Sequence, residues 1–391
     1  MKRGRLELRD LLLESGTMTP DWVPAFEAVP RELFLPDVMW PSITDEHIAV
    51  SRSDDPVEWR LWADADVPIV TQWDDGHHIG PEPGERPTSS SSMPGAVFAM
   101  LRDLSVFDGA RVLEIGTGTG WCAGLLSARL GEANVVSVEL DEAVAETARE
   151  ALVAAGWHPR LVVGDGLLGW PEGAPYDRIL VTAGVRRVPR AWIEQTRPGG
   201  VIVMPWGPVF TGQNAVVRLV VGGDGSAGGR FGGAAGFMHV RSQRVDWNFG
   251  DYLPGGGWPE DTRESVTALT EADVLPDGPY SAVEFVLGLL VPGCVYTYGR
   301  NLQDRQTMWL FGLTDLSWAV AFFNEGDPAR SNVYQGGPRS LWDEVEAAHS
   351  WWIERGRPRH EEFGLTVTVD GRQEVWLGKP SELVPQAVPA R

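Results

Sequence analysis

The sequence predicts an α/β fold with a mostly parallel sheet, followed by a second region of mixed α and β structure. Short apolar segments alternate with helical segments between residues 93 and 221, a pattern typical of parallel strands joined by right-handed helical crossovers. The alternation ends near residue 222, where the glycine content rises sharply. The alternating part thus separates from the regions before and after it, and the chain divides into three regions, 1–80, 81–240 and 241–391.

The alternating part combines apolar strands with helices that carry one apolar face. Strands that are apolar at nearly every position are typical of a sheet covered on both faces. The predicted helices lie at 96–104, 122–130, 142–155 and 191–196. The predicted strands lie at 110–115, 135–139, 161–163, 178–182, 200–205 and 214–221.

The regions on either side follow other patterns. Residues 1–40 are predicted to be helical, whereas the many prolines and glycines of residues 41–92 predict an irregular stretch. A stretch of that length without regular structure is usually functional or disordered. The first region, 1–80, is therefore interpreted as helical, with a loop on the substrate side.

The C-terminal region begins after a glycine-rich segment. Residues 222–236 contain eight glycines, which favours a flexible connection or the tip of a long hairpin. Beyond it, strands are predicted at 283–290, 307–313, 318–323 and 365–369, and a helix at 341–355. Residues 241–391 are therefore expected to form an additional α+β region.

Composition excludes several classes of protein. The 391 residues contain 33 Lys and Arg against 54 Asp and Glu, a net charge of −21, which argues against a nucleic-acid partner because phosphate contacts need clustered cations. No apolar stretch approaches the roughly 20 residues of a membrane span. With only two cysteines, Cys122 and Cys294, the composition fits a reducing cytoplasm.

A glycine motif follows the first strand of the alternating part. The segment from Val112 to Gly120 runs from a strand into Gly116, Gly118 and Gly120 and then into a helix. Glycine permits positive φ and lets the backbone approach a ligand closely. A glycine-rich turn that binds no cofactor is the alternative interpretation of the same motif.

Three carboxylates at strand ends favour a particular cofactor. Glu114, two residues before the first glycine, could receive an ammonium group, and Glu139 follows Gly120 by nineteen residues, the position that hydrogen-bonds ribose hydroxyls. Asp165 ends the third strand, where an acid can accept the adenine amine. Since no Lys or Arg accompanies them, these acids suit S-adenosylmethionine better than NAD or ATP.

The residues around this motif resemble the protein L-isoaspartyl O-methyltransferase family. The similar segments are Ala28–Pro36, Val163–Gly166, Ala174–Ile179 and Pro198–Pro205, which fall in the family's order over about residues 20–221. The resemblance implies a Rossmann-like S-adenosylmethionine-dependent methyltransferase fold that spans residues 81–240. It implies cofactor binding by Glu114, Gly116, Thr117, Gly118, Glu139, Leu140, Asp165, Gly166 and Thr182.

The substrate segment of that family, Thr-Ile-Ser, falls at Thr88-Ser89-Ser90. The chain then departs from the family pattern, because two more serines precede Met93 and the loop before Thr88 is longer. A carboxylate with a pKa near 4 is already ionised and needs no general base, and hydroxyls donate hydrogen bonds to it without adding charge. Ser90 is the principal candidate for this contact, followed by Thr88 and Ser91, and a loose polar linker is the alternative.

Other residues are weaker candidates for a site. His77 and His78 are adjacent without further ligands, so no metal site is predicted. Cys122 begins a helix, which lowers the pKa of a thiol, but packing beside the cofactor is the preferred interpretation. Trp73, Trp247 and Trp258 lie in predicted loops and are candidates for lining a peptide groove.

The additional residues 241–391 and the longer loop resemble homologues of this family that tailor ribosomally synthesised peptides. Such enzymes methylate an Asp of a macrocyclised precursor, and the ester gives aspartimide or isoaspartate. The hypothesis is therefore a peptide carboxyl methyltransferase whose C-terminal region recognises the constrained peptide. A general isoaspartate repair enzyme and a non-catalytic peptide-binding module are the alternatives.

Overall fold

The computed structural model describes residues 4–43, 46–253, 257–275, 281–301, 305–323 and 331–385. Its helices are α1 (Arg5–Glu14), α2 (Val23–Ala28), α3 (Pro56–Ala63), α4 (Pro94–Leu104), α5 (Trp121–Leu130), α6 (Glu142–Ala154), α7 (Arg190–Gln195), α8 (Phe249–Tyr252), α9 (Glu271–Val274), α10 (Ala282–Leu290) and α11 (Leu341–Glu354). Its strands are β1 (Val38–Ile43), β2 (Glu46–His47), β3 (Val50–Ser51), β4 (Ile69–Trp73), β5 (Pro87–Ser91), β6 (Val112–Ile115), β7 (Val135–Glu139), β8 (Arg160–Val163), β9 (Tyr176–Val181), β10 (Thr196–Trp206), β11 (Asn214–Val221), β12 (Ala227–Ala235), β13 (Arg263–Thr267), β14 (Cys294–Arg300), β15 (Gln306–Gly312), β16 (Trp318–Phe322), β17 (Ser331–Gly336), β18 (Phe363–Val367) and β19 (Gln373–Leu377).

A nine-stranded sheet forms the centre of the fold, in the order β19-β18-β12-β11-β10-β9-β6-β7-β8. The strands from β10 to β8 in this order are parallel, whereas β11, β12, β18 and β19 add antiparallel pairs. All four residues of β6 are buried, as expected for a central strand covered on both faces. The predicted α/β fold with a mostly parallel core is confirmed.

The stretch 41–92 is not irregular, so that prediction is wrong. Its strands β1, β2, β4 and β5 form a small sheet with β3 pairing beside β1, and α3 packs against it. A core of Trp59, Trp62 and Ile69 joins these elements. The strands have only two to six residues and several contain or adjoin proline, so no alternating pattern was long enough to predict them.

The glycine-rich segment 222–236 is a tight turn followed by a strand. The N–H of Gly222 donates to the Ser226 carbonyl at 2.8 Å, and β12 then pairs with β11 and β18. Glycine is required at Gly229, where a Cβ atom would lie 1.8 Å from the Arg218 carbonyl oxygen. The hairpin interpretation is thus confirmed at the turn, whereas a flexible connection is wrong for residues 227–235.

The C-terminal region forms a sheet of its own and also extends the central sheet. Strands β13 to β17 form a separate antiparallel sheet, while β18 and β19 return to extend the central sheet at β12. The strand predicted at 283–290 is wrong, because these residues form α10. Seven of its nine residues are buried. Because nearly every position faces the core, the spacing of its apolar residues does not distinguish a helix from a strand.

Helix α10 joins the C-terminal region to the central core. Phe285 contacts Phe231 with ring centres 5.2 Å apart, and it also packs against Trp206 and Phe363. One hydrophobic core therefore includes the central strands together with α10 and α11. Within the described residues, we find no helix with the length and apolarity that crossing a membrane requires.

Candidate functional site

A cavity of about 1120 Å³ lies at the carboxyl ends of β6, β7 and β9, the edge where open α/β sheets bind ligands. Its wall includes the glycine turn after β6, the strand β5, the helix α4, and residues 233–244, which begin at the end of β12 and which we call the strap. All the predicted site residues line this cavity except Glu114.

The glycine turn brings the backbone close to its neighbours. Gly116, Gly118 and Gly120 all have positive φ, at 93°, 53° and 87°. A Cβ atom at Gly116 would lie 2.9 Å from the Thr182 hydroxyl oxygen, and one at Gly118 would lie 3.3 Å from the Ser90 carbonyl oxygen. Strand β5 therefore lies directly against the glycine turn, and the cavity opens beside this contact.

Glu139 holds the glycine turn at the end of β7. Its carboxylate accepts a hydrogen bond from the Gly118 N–H at 2.9 Å and another from the Asp141 N–H at 3.1 Å. A carboxylate has about four acceptor positions, so two remain for ribose hydroxyls. Its place at the cavity wall fits the role predicted from spacing.

Glu114 lies behind the cavity. It is fully buried and accepts a hydrogen bond from the Ser137 hydroxyl at 2.5 Å, which in turn lies 2.6 Å from the Thr117 hydroxyl. Burial raises the pKa of Glu114 to about 7, an effect that the Ser137 hydrogen bond and the Cys122 thiol partly oppose. Glu114 is therefore connected to the cavity wall through Ser137 and Thr117 and through Cys122.

The remaining predicted cofactor residues surround the turn. The Asp165 carboxylate accepts from the Leu167 N–H at 2.9 Å, and Gly166 is packed so closely that a Cβ atom would lie 2.6 Å from an Ile115 methyl group. The Thr182 hydroxyl donates to the Gly116 carbonyl at 2.5 Å. Leu140 is 46% exposed, which leaves an apolar side chain available to a ligand.

These walls fit S-adenosylmethionine. The tight glycine turn leaves room for a ligand to approach the backbone, and Glu139 and Asp165 offer acceptors to hydroxyl and amine donors. The Arg241 guanidinium of the strap is already paired with carboxylates, 2.9 Å from Asp75 and 2.7 Å from Asp141. The cavity is therefore suited to a cofactor that carries a cation and no phosphate.

The hydroxyl groups of strand β5 differ in their hydrogen-bond partners. The Thr88 hydroxyl donates to Gln72 at 2.8 Å and accepts from the Asp75 N–H, and Ser91 is 2% exposed and accepts from Arg31 at 2.9 Å. Among the described residues, the Ser90 side chain has no hydrogen-bond partner. Within β5, Ser90 is therefore the residue whose hydroxyl is left available to a substrate, whereas Thr88 and Ser91 support the loop and the strand.

Arg31 supports β5 by hydrogen bonds to Ser91 and Ser92. The sequence analysis assigned it no role. Its guanidinium is 3% exposed and donates six hydrogen bonds. Their acceptors are the hydroxyl of Ser91 and the carbonyls of Ala63, Ala65, Val67, Ser91 and Ser92. Burial lowers its pKa to about 9, with Asp66 and Asp64 opposing the shift. Its position within Ala28–Pro36 was visible in the sequence, but nothing there indicated that it is buried.

The sequence analysis did not predict that the strap lines the cavity. It contributes Phe237, His239 and Arg241 to the cavity wall, and the ion pair of Arg241 with Asp75 connects it to the loop between β4 and β5. Because these two residues lie more than 150 positions apart in the chain, no local pattern could predict their contact.

The structure also locates Cys122 and the three tryptophans that the sequence offered as weaker candidates. Burial raises the pKa of the Cys122 thiol well above its usual value, so the expected lowering is wrong and its packing role stands. Trp73 is buried and is not among the described residues that line the cofactor cavity, whereas Trp247 lines a second cavity. Trp258 stacks on Trp318 and Tyr334. Within the described residues, no group of three or more His, Cys, Asp or Glu could hold a metal ion.

Comparison with known proteins decides the family. Residues 65–233 match the family model described as protein-L-isoaspartate(D-aspartate) O-methyltransferase. A protein-L-isoaspartate O-methyltransferase of Ignicoccus hospitalis is 33% identical over 206 residues, which cover 52% of this chain and 82% of that protein. The chain belongs to the protein-L-isoaspartate O-methyltransferase family.

Further relatives carry the same name. One from Methylorubrum extorquens is 33% identical over 55% of this chain and 80% of its own length. One from Thermococcus onnurineus is 40% identical, and the match spans 62% of that relative and 38% of this chain. The family is one of S-adenosyl-L-methionine-dependent carboxyl O-methyltransferases, and S-adenosyl-L-methionine is the cofactor that the cavity fits.

The solved structure of a protein-L-isoaspartate O-methyltransferase aligns with this chain at a TM-score of 0.54 and 22% identity. The alignment covers 96% of this chain and all of that chain. The similarity in fold therefore extends beyond the methyltransferase core into the C-terminal region. The Rossmann-like methyltransferase fold with an additional C-terminal part is confirmed.

Proposed function

We propose that this protein transfers the methyl group of S-adenosyl-L-methionine to the side-chain carboxylate of an Asp or isoAsp residue in a peptide. One observation carries the proposal: β5 presents the unpaired Ser90 hydroxyl at the point where its backbone contacts Gly118 of the glycine turn. A carboxylate held by Ser90 would thus lie beside the cofactor's place in the cavity.

The chemistry requires positioning more than activation. The bound cofactor supplies a reactive sulfonium methyl group. The carboxylate is ionised at neutral pH, so Ser90 need only donate a hydrogen bond and orient one oxygen. Orientation of this kind can lower a barrier by about 7–11 kcal/mol in favourable cases. The buried hydrogen bonds of Arg31 to Ser91 and Ser92 fix the strand that presents Ser90.

In its finer form, the proposal is that the substrate is a normal Asp of a macrocyclised ribosomal peptide. A second cavity of about 430 Å³ supports it, lined by Trp247, Tyr296 and Tyr298 of the C-terminal region together with Phe210. Gly212 lines both cavities. A peptide ring whose Asp reached Ser90 would therefore have an aromatic surface beside it.

The role of residues 241–391 in recognition rests on that surface. Tyr298 is 61% exposed and stacks near Tyr296 at 6.3 Å. Aromatic side chains provide large contact areas at low entropic cost. The family departure at β5, where serines continue through Ser92, adds further hydroxyls at the cavity wall.

Repair of isoaspartate in damaged proteins is the second candidate. The names of the curated relatives favour it, and a solved protein-L-isoaspartate O-methyltransferase matches this fold across the C-terminal region as well. The added region alone therefore does not separate the two candidates. Substrate preference must do so.

The experiment compares two substrates and two variants. Methyl transfer is measured to a macrocyclised precursor peptide with a normal Asp and to a linear isoAsp peptide. Tyr298→Ala removes an aromatic side chain that lines the second cavity. Phe249→Ala removes an exposed aromatic side chain of the same region that does not line this cavity. Deletion of residues 241–391 is unsuitable because it would remove β18, β19 and α10.

The tailoring proposal predicts turnover of the cyclised peptide in preference to the linear one. Tyr298→Ala should raise the KM for that peptide about tenfold, the effect of about 1.4 kcal/mol, while Phe249→Ala leaves it unchanged. Equal or better turnover of linear isoAsp peptides, with no effect of Tyr298→Ala, would establish the repair function and overturn the finer proposal.

A further inference from the structure

The second cavity lies along the edge of a strand. Among the described strands, β14 pairs only with β15 and so forms one end of the C-terminal sheet. Four consecutive residues of β14, 295–298, line the cavity. Because neighbouring side chains of a strand point to opposite faces, a cavity that touches all four residues extends along the strand's edge and not over one face.

The ladder with β15 shows which backbone groups point toward this edge. Directly before β14, the Leu313 N–H donates to the Gly293 carbonyl at 2.8 Å, and the register continues from there through β14 without irregularity. In an antiparallel pair, residues that bond to the partner strand alternate with residues whose N–H and C=O groups point away from it. Tyr296 and Tyr298 therefore direct their backbone groups to the cavity side.

One charged side chain lines the same cavity. Among the described residues of its wall, only Arg186 carries a charge at neutral pH, since the others are apolar, aromatic, threonine or glycine residues. The Nε and Nη1 groups of Arg186 donate to the carbonyls of Gln243 and Pro208, at 3.1 and 2.5 Å. A guanidinium has five N–H groups, so three of them have no partner in the described part of the chain.

Arg186 also lacks an anionic partner there. No Asp or Glu of the described residues forms an ion pair with it, and burial lowers its pKa to about 10, so it is charged at neutral pH. A charge that is partly removed from water without a partner is unfavourable. The chain as a whole has a net charge of −21, and this cavity therefore offers a local positive charge within a largely negative protein.

The second cavity adjoins the cofactor cavity. Gly212 lines both, and Arg244 of the strap lines the cofactor cavity while the next residue, Val245, lines the second one. A Cβ atom at Gly212 would have no atom within 4 Å, so the space beside this glycine is open. The two cavities thus meet at Gly212, where a single extended ligand has room to occupy both.

We infer that β14 and Arg186 form a peptide-binding subsite, in which an extended segment of the substrate adds to β14 as a further strand and places a carboxylate against Arg186. The inference rests on the proposed function, which supplies a peptide substrate. It adds a second requirement for that peptide, an acidic residue at a fixed distance from the residue that is methylated.

The two features of the subsite recognise different parts of such a peptide. Backbone groups of Tyr296 and Tyr298 pair with the backbone of the added strand, which provides affinity without regard to sequence. The free N–H groups of Arg186 form charge-assisted hydrogen bonds with a carboxylate, and this is the anion that an unmodified peptide carries. The cavity of about 430 Å³ lies within the usual range for ligand sites.

The test measures binding of peptides to the full chain by calorimetry, with S-adenosyl-L-homocysteine present because it has no methyl group to transfer. The probes are linear isoAsp peptides with one Glu at increasing separations from the isoAsp, each with a counterpart that has Gln instead. At the matching separation, the Glu peptide should bind about tenfold more tightly than its Gln counterpart. Equal affinities at every separation would overturn the inference.

Variants of two adjacent arginines locate the carboxylate. Arg186→Met should abolish the preference for Glu over Gln, whereas Arg186→Lys keeps a cation and should retain part of it. Arg187→Met is the matched control, since Arg187 is exposed and lines neither cavity, and it should retain the full preference. A preference that persists in Arg186→Met would overturn the role of this cation. The peptide comparison needs no variant, so it decides even if Arg186→Met does not fold.

N-methylation of the peptide backbone tests the added strand. The N–H groups of alternate residues in a strand point to the same side, so N-methyl groups at alternate positions of the segment should weaken binding about tenfold. N-methyl groups at the positions between them should have far less effect. An equal effect at all positions would overturn the addition of a strand to β14.

The inference and the proposed function fail in different ways. Methyl transfer that is independent of the Glu residue and of Arg186 would leave the proposed function in place and overturn the inference. Binding that depends on both, without methyl transfer to any peptide, would support the subsite and overturn the proposed function.

Discussion

The carbonyl oxygen of Ser90 lies against Gly118, so closely that a Cβ atom at Gly118 would approach it to 3.3 Å. This contact joins two segments with different roles, the turn that fits the cofactor and the strand that would hold the substrate. Methyl transfer requires these two ligands to meet, and the contact places their binding segments side by side. Substitutions in the turn, in β5 and in the residues that support them test this arrangement.

Gly118→Ala tests the glycine turn. Its φ of 53° disfavours a side chain, and the added methyl group would press on β5, so binding of S-adenosyl-L-homocysteine should weaken at least about tenfold in calorimetry, the effect of about 1.4 kcal/mol. Gly109→Ala is the matched control, since Gly109 also has positive φ, at 78°, but no atom lies within 4 Å of its added Cβ. Equal binding by both variants would contradict the proposed role of the turn.

Ser90→Ala and Ser91→Ala should affect different properties, the first activity and the second stability. Ser90→Ala removes the available hydroxyl and should lower kcat/KM for the peptide about tenfold, without changing the free energy of unfolding. Ser91→Ala leaves a buried Arg31 donor unpaired and should cost about 1–3 kcal/mol of stability. Steady-state kinetics and urea unfolding of both variants distinguish these outcomes, and a purely structural effect of Ser90→Ala would exclude it from the site.

Arg31→Met tests the support of β5. Six acceptors lose their donor, five of them backbone carbonyls, so the free energy of unfolding should fall by about 3 kcal/mol or more. Arg60→Met provides the control in α3, because the Arg60 side chain is exposed and, among the described residues, pairs only with Glu32, a type of contact worth about 0–1 kcal/mol. Urea unfolding should show the difference, and equal losses would show that Arg31 is not a structural centre.

Glu114→Gln should change the pH dependence of stability. Burial raises the pKa of folded Glu114 to about 7, above its usual 4.5, so the folded state keeps a proton that the unfolded state releases between these values. The stability contributed by protonated Glu114 is therefore present below pH 4.5 and is lost as pH rises to about 7.

The loss is on the order of 3 kcal/mol at most, from about 2.5 pH units at about 1.36 kcal/mol each. Denaturant unfolding from about pH 5 to about pH 8 should show a steeper fall in the unmodified protein than in Glu114→Gln. Parallel profiles would contradict this account.

The sequence predicted the parts of the site that lie on local motifs. The glycine turn, Glu139 and Asp165 occupy strand ends, where chain order and sheet geometry together determine their positions. Ser90 was reached through the resemblance of its segment to a family motif. In each case the informative residues are close together in the chain.

The remainder depends on contacts between distant segments. The strap meets the loop after β4 through Arg241 and Asp75, and Arg31 meets Ser91 across 60 residues. A short run of apolar residues fits a buried helix as well as a buried strand, so the sequence predicted a strand where the structure has α10. The contact between Glu114 and the cofactor stays a prediction, and the sequence did not show that Glu114 would be fully buried beside Ser137.

The central claim is methyl transfer to a side-chain carboxylate held at Ser90. The most direct measurement incubates the full chain with S-adenosyl-L-methionine labelled in its methyl group and with Asp and isoAsp peptides, and then treats the products with mild base. We predict a labelled methyl ester that base releases as methanol, and a large loss of label with Glu139→Gln and Ser90→Ala. Absence of transfer, or a methyl group that resists base, would contradict the account, and absence of cofactor binding as well would indicate a non-catalytic peptide-binding module.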